Sequence, residues 1–280
     1  MENMKKNYLK EMFEYRKKLK EYPNFRTQFN FEDNIDYFSY ASDSDRKINF
    51  QEYDIPTQNN LSTLEYVDQL FSWIDAHLKH DGYTPYRGKL YGKDILKYAI
   101  DEGGGINCLM HGIILQEIFV NSGFKAFLVQ CNPYDYRIGD CHWLISLYVE
   151  EYNKWMMVDP VWLGFCTNIE GIPLDFFEIR NAIIENKKFY TNKKIKVDYY
   201  EYLMCRYLFF FGFFKGNSIG TFELRNQQKL YIGPLNFDTK LFVESKEKAR
   251  FLPFNIKEYL YFSRFEEKSI HLFNGGKEHG

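Results

Sequence analysis

Residues 103–131 read GGGINCLMHGIILQEIFVNSGFKAFLVQC, and residues 140–162 read DCHWLISLYVEEYNKWMMVDPVW. After three glycines, Cys108 opens an apolar run long enough for a buried helix, and Asn121-Ser122-Gly123 stops it. Gly123 suits the left-handed position just past a helix end, where a Cβ carries a penalty. Phe124 to Cys131 alternates as a strand does, and His142 to Glu150 reads as a second strand. Asn153 sits in a tight turn. Lys154 to Asp159 forms a third strand, and Pro160 ends it because proline has no N–H for the ladder. A helix followed by successive antiparallel strands predicts an α+β fold, not the parallel sheet that alternating helices and strands would make.

Upstream, Ser62-Thr63-Leu64-Glu65 is a capping box, in which the Ser oxygen takes a free N–H and the Glu side chain returns to the cap. Leu64, Val67, Leu70, Phe71, Ile74 and Leu78 then recur at helical spacing. Asp81-Gly82 makes a turn, and Lys93 to Ile100 reads as a shorter helix. Residues 4–22 form a charged helix ending before Pro23, and residues 23–60 carry no sustained period. Beyond residue 186, aromatic runs and short β-like stretches, Lys229 to Ile232 and Leu241 to Glu244, alternate with Gly-containing turns. The chain therefore divides into an N-terminal helix and irregular arm (1–60), a core (61–185) and an aromatic-rich β extension of the same domain (186–280).

The 280 residues hold 36 Lys+Arg against 38 Asp+Glu, a net charge of -2, which excludes nucleic-acid binding by bulk positive charge. The hydrophobic fraction of 45% and aromatic fraction of 19% supply a sizeable core. The longest aromatic-apolar run, Tyr207 to Phe214, is far short of the roughly 20 residues of a spanning helix, so no membrane span is expected. The first residues, rich in Lys and Glu, lack the apolar stretch of a secretory signal. Five cysteines at irregular spacing make a poor disulfide framework and fit free thiols in the cytoplasm.

Three residues stand out by position. Cys108 opens the buried helix, His142 begins a strand, and Asp159 ends the next strand of the same hairpin. Counted back from the turn near Tyr152-Asn153, His142 and Asp159 fall at the same open end. A helix whose N-terminus meets that end brings Cys108 to His142. A thiol there feels the positive end of the helix dipole and unpaired N–H groups, and both favour the thiolate. An imidazole beside it adds an ion pair, and a carboxylate on the far ring nitrogen fixes tautomer and orientation. The preceding glycines let backbone approach a substrate carbonyl, and the Cys108 N–H is then one oxyanion donor. The second donor is not readable.

These elements together resemble the transglutaminase-like superfamily: the glycine run leading through Ile106-Asn107 into the helix start at Cys108, Gly123 at the strand entry, His142-Trp143, and Trp155 with Asp159-Pro160. The resemblance spans about residues 62–163. It implies a papain-like α+β core with the Cys-bearing helix packed on an antiparallel sheet. It also implies a Cys108–His142–Asp159 triad and acyl transfer through a thioester. Members include protein crosslinkers, peptidases, amide-cleaving deglycosylating enzymes and non-catalytic relatives. Asn107-Cys108-Leu109 stands where animal crosslinking enzymes carry Gln-Cys-Trp, and Gly103 to Gly105 follow Glu102 where arylamine N-acetyltransferases have an arginine.

The expected activity is cleavage of an amide or peptide bond in a peptide or protein substrate. Hydrolysis is favoured because water is always present and no amine pocket is readable. No metal or organic cofactor is required. The alternatives are an acyltransferase using the same triad and a non-catalytic binding module of the same fold. Asp140 is a rival orienter of His142. Zinc binding by Cys108, His111, Cys131 and Cys141 is a further alternative, although their spacing matches no common zinc pattern. Trp143 and Trp155 are expected in the core on strands that pack against the Cys helix.

Overall fold

The computed structural model describes residues 2–24, 46–134, 141–192, 197–214, 229–235 and 237. Its elements run α1 (Glu2–Glu21), α2 (Thr63–His77), α3 (Gly92–Leu96), α4 (Cys108–Asn121), β1 (Ala126–Asn132), β2 (His142–Val149) and β3 (Lys154–Asp159). Then follow β4 (Gly164–Thr167), α5 (Phe176–Glu185), β5 (Tyr190–Thr191), α6 (Val197–Tyr207), β6 (Phe210–Phe214) and β7 (Lys229–Ile232). The architecture is α+β, with one antiparallel sheet in the order β5-β4-β3-β2-β1-β6-β7.

Local signals act where the sequence puts them. The Ser62 amide donates to Glu65 Oε2 at 2.9 Å and the Glu65 amide donates to Ser62 Oγ at 3.4 Å, closing the box that starts α2. Gly123 takes φ +89, and the Phe124 amide reaches back to the Phe119 carbonyl at 2.9 Å to close α4. The β2–β3 hairpin turns through one 3-10 turn at Glu150–Tyr152, and Asn153 at φ 50 completes it. Asn tolerates that left-handed backbone better than most residues.

Every residue of β1 and β2 is buried, because helices cover both faces of the sheet. Strand alternation divides the side chains between two cores. Trp143, Ile145, Leu147 and Val149 of β2, with Met156 and Val158 of β3, join α2, α3 and α4 on one side. Leu144, Met157, Phe127, Val129 and Cys131 join α1, α5 and α6 on the other. The Cys-bearing helix α4 thus packs on β1 and β2. Trp143 lies on its side, but Trp155 falls in the opposite core, 5.1 Å from the Phe127 ring. Its odd position in β3 sets it one residue out of phase with Met156 and Val158.

The chain beyond residue 186 is not purely β. Residues 197–207 form helix α6, whose Tyr200, Leu203, Met204 and Tyr207 recur at helical spacing and are buried. The Phe-rich run then supplies β6, paired with β1. Leu241 to Glu244 lie outside the described residues. The N-terminal helix is not detached: Tyr15 and Leu19 of α1 enter the second core. Fully buried Arg180 of α5 locks it there. Its Nε donates to the Leu208 carbonyl at 3.1 Å, one Nη to the Pro23 carbonyl at 2.9 Å and the other to the Tyr22 carbonyl. These carbonyls sit just past the ends of α6 and α1, where helix dipoles are negative and a cation is favoured. Burial lowers the Arg180 pKa to about 10, so the guanidinium stays charged at neutral pH. Among the described residues no helix is long and apolar enough to cross a membrane.

Candidate active site

Cys108 is the first residue of α4 and is half-buried. Asn107 is the N-cap: its backbone is extended at φ -86 and ψ 176, and its Oδ1 accepts the Met110 amide at 3.1 Å. The amides of the first turn otherwise point forward without intrahelical partners. The glycines ahead of it have a packing role. A Cβ on Gly104 would fall 2.2 Å from Tyr98 Cζ, and one on Gly105 would fall 2.6 Å from Asp81 Cβ. Both must be glycine so that this loop can close onto a tyrosine ring and the neighbouring 81–84 turn.

His142 and Asp159 meet at the open end of the hairpin. Ile145 pairs with Val158, so the same register sets Asp159 opposite Leu144, and Leu144 shares its sheet face with His142. His142 Nε2 and Asp159 Oδ2 are 2.9 Å apart. The other carboxylate oxygen, Oδ1, accepts the amides of Val161 and Trp162, each at 3.0 Å. Asp159 is fully buried and His142 nearly so. With Nε2 committed to Asp159, Nδ1 is the nitrogen left for the thiol. Burial of the His142 ring works against its positive charge. The Asp159 charge and hydrogen bond, helped by Cys108, outweigh burial and raise its pKa well above the usual histidine value. The Cys108 Sγ lies 3.9 Å from the Cys141 carbonyl oxygen, at the entry to β2. The three residues picked from the sequence therefore gather in one place, while the rival orienter Asp140 lies outside the described residues.

The other cysteines divide by burial. Cys131, Cys166 and Cys205 are buried, and burial pushes the thiols of Cys131 and Cys166 well up and that of Cys205 to about 11. Cys141 is half-buried. Among the described residues, no group of three or more His, Cys, Asp or Glu is arranged to hold a metal ion, so the zinc alternative finds no ligand set there.

Three neighbours escape a reading by motif. Tyr207 of α6 lies with its ring 5.6 Å from that of His142. His111, one turn past Cys108, is 2% exposed, and neither of its ring nitrogens makes a well-formed hydrogen bond, although the Lys79 backbone acts on the ring. His80, outside any helix or strand run, lies with its ring 5.8 Å from that of His111. Helical spacing places His111 near Cys108, but nothing local to His80 announces its proximity.

Burial, followed by the His80 charge, lowers the His111 pKa to about 3, against a smaller opposing pull from Asp159. The folded chain therefore keeps His111 neutral where the unfolded chain protonates it, below about pH 6.5. In that window the unfolded state binds more protons, so stability falls as pH falls. The His111→Leu variant lacks this slope and loses two buried nitrogens that make no well-formed hydrogen bond. It is expected to be at least as stable as wild type at pH 7. Its advantage is expected to widen by about 3 kcal/mol between pH 7 and pH 4. Urea unfolding of both proteins across that range checks this, and parallel curves would contradict it. His80, His142 and Asp159, the titrating neighbours of His111, are common to both chains and cancel to first order.

No protein-family model, curated protein or solved structure matches the chain.

Proposed function

We propose that the chain is a cysteine enzyme with a transglutaminase-like, papain-related core, cleaving an amide or peptide bond through a thioester on Cys108. The observation that supports this most is the single line of contacts: Asp159 pinned by two backbone amides, His142 held to it at 2.9 Å, and the thiol against the remaining face of the imidazole. A neutral structural histidine has no need of a buried carboxylate fixed this firmly.

In this reading the Cys108 thiolate attacks the substrate carbonyl carbon, and charge gathers on the carbonyl oxygen beside the Cys108 amide. His142, carrying the thiol's proton, gives it to the leaving amine as the C–N bond breaks, which leaves a thioester. His142 then takes a proton from water as the hydroxyl adds to the thioester, and returns it to the departing sulfur. The acid appears and the thiol is restored. Asp159 orients His142 throughout and balances its charge.

The test needs no knowledge of the natural substrate. Iodoacetamide alkylation at each cysteine, read by peptide mass spectrometry, is expected to modify Cys108 at least tenfold faster than half-buried Cys141. Cys131, Cys166 and Cys205 are expected to stay inert. His142→Ala should remove the preference. p-Nitrophenyl acetate should acetylate Cys108, and added water or amine then identifies the acceptor by the product formed. A Cys108 no faster than Cys141, with no ester acylation, would overturn the enzyme reading in favour of a binding module.

A further inference from the structure

The backbone ahead of α4 carries a third histidine to the start of the Cys-bearing helix. The Asp81 amide donates to the Ile106 carbonyl at 2.8 Å, and the Ile106 amide donates to the Lys79 carbonyl at 2.9 Å. His80 and Ile106 thus form a parallel bridge two residues before Cys108. The missing Cβ of Gly105 lets the Asp81 side chain close against this loop, which holds the two segments together. The position of His80 is therefore set by backbone pairing and not by a free loop.

Its side chain is exposed, so substrate can reach it. Its ring lies 5.8 Å from that of His111 at a tilt of 38°. His111 stands three residues after Cys108, on the same face of α4. It is 2% exposed and neither ring nitrogen makes a well-formed hydrogen bond, although the Lys79 backbone acts on the ring. His142 and Asp159 are also close enough for their charges to act on His80. Nucleophile, general acid, orienting carboxylate and two further imidazoles thus occupy one neighbourhood.

Thioester formation needs two donors at the carbonyl oxygen, and the helix start supplies one, the Cys108 amide. Asn107, the nearest side-chain amide in sequence, is held back over the first turn of α4 by its Oδ1, which accepts the Met110 amide. We propose that His80 is a catalytic residue whose imidazole N–H is the second donor to the oxyanion formed at Cys108. This rests on the thioester reading above. A donor in this role must be neutral, so that it polarises oxygen without delivering a proton. Partial burial of the ring, followed by the positive charge of His142, outweighs the pull of Asp81 and Asp159 and favours the neutral form.

An oxyanion donor acts on carbonyl attack and not on displacement at a saturated carbon, and the two reagents used above separate these. In His80→Ala, acetylation of Cys108 by p-nitrophenyl acetate is expected to slow by about 10²–10³. Alkylation by iodoacetamide, which passes through no oxyanion, should stay within about twofold of wild type. His80→Gln, which restores an N–H donor, should recover part of the acetylation rate and guards against a folding artefact. Acetylation of His80→Ala within threefold of wild type would overturn the proposal. So would a parallel fall in alkylation, since His80 would then act on the thiol. A wild-type Cys108 that resists both reagents would overturn the nucleophile itself, and with it any oxyanion role for His80.

Discussion

Asp159→Asn is expected to slow acetylation of Cys108 by two to four orders of magnitude while the chain still folds. The reason lies in the two amides that Asp159 accepts. Val161 and Trp162 both point N–H groups at Oδ1, each at 3.0 Å. An asparagine must turn its oxygen to those donors, so its NH₂ faces His142 Nε2. That nitrogen must then be the bare acceptor, and the proton moves to Nδ1, on the side of the thiol. A ring in that tautomer cannot take the proton of Cys108. The opposite amide rotamer serves His142 but sets NH₂ against two backbone N–H groups, at a cost of about 1–3 kcal/mol for each donor left unpaired.

The substitution also removes the charge that keeps His142 protonated, which leaves burial to lower its pKa. A raised histidine contributes stability in full below its unfolded value near 6.5, and loses it as pH rises through the folded value. Asp159→Asn should therefore lose stability mainly on the acid side of that window and flatten the profile above it. Ester acylation by stopped flow, and His142 titration by NMR, read the two effects separately. An unchanged acylation rate would remove Asp159 from the catalytic line.

The second large effect is on stability. Arg180→Met is expected to cost about 3–5 kcal/mol, because three carbonyls around a fully buried guanidinium lose a charged donor together. The figure is a balance. Removing a buried guanidinium relieves a desolvation penalty, but it strips the Leu208 carbonyl of its buried donor and the Tyr22 and Pro23 carbonyls of the bonds that tie down the end of α1. Arg180→Lys keeps the charge and loses the fork, so it should recover about half. Urea unfolding measures the loss, and limited proteolysis should show cleavage after α1 in Arg180→Met before the rest of the chain is cut. A loss under about 1 kcal/mol would mean that the second core alone holds the helix.

How much of this could be read in the sequence depends on how local each signal is. The α4 start, the β2–β3 hairpin and the gathering of His142 and Asp159 are written within one continuous stretch. There, cap, turn and alternation fix the register without reference to the rest of the chain. Helix α6 is hard to read because its tyrosines, four in eleven residues, suit a strand equally well. Its helical spacing gains meaning only once a second core exists for it to face. Trp155 belongs to the core opposite α4 because the pairing of β3 with β2 turns it away from Met156 and Val158. The glycines before Cys108 signalled a close approach, but the sequence could not say that Tyr98 and Asp81 are what approaches. His80 depends on a bridge to Ile106 across more than twenty residues, and no local pattern encodes such a pairing.

The clasp at Arg180 has a consequence for synthesis. Its partners Tyr22 and Pro23 lie 158 and 157 positions earlier in the chain, and Leu208 lies 28 positions later. Helix α1 is therefore made long before the residues that seat it. At about 5–20 residues per second, that delay is roughly ten to forty seconds. Through it Tyr15 and Leu19, destined for the second core, have nothing to cover them. The lysines and glutamates that crowd α1 keep the waiting segment hydrated. The same charges, some of which pair with α6 in the finished fold, are what allow this helix to wait without sticking.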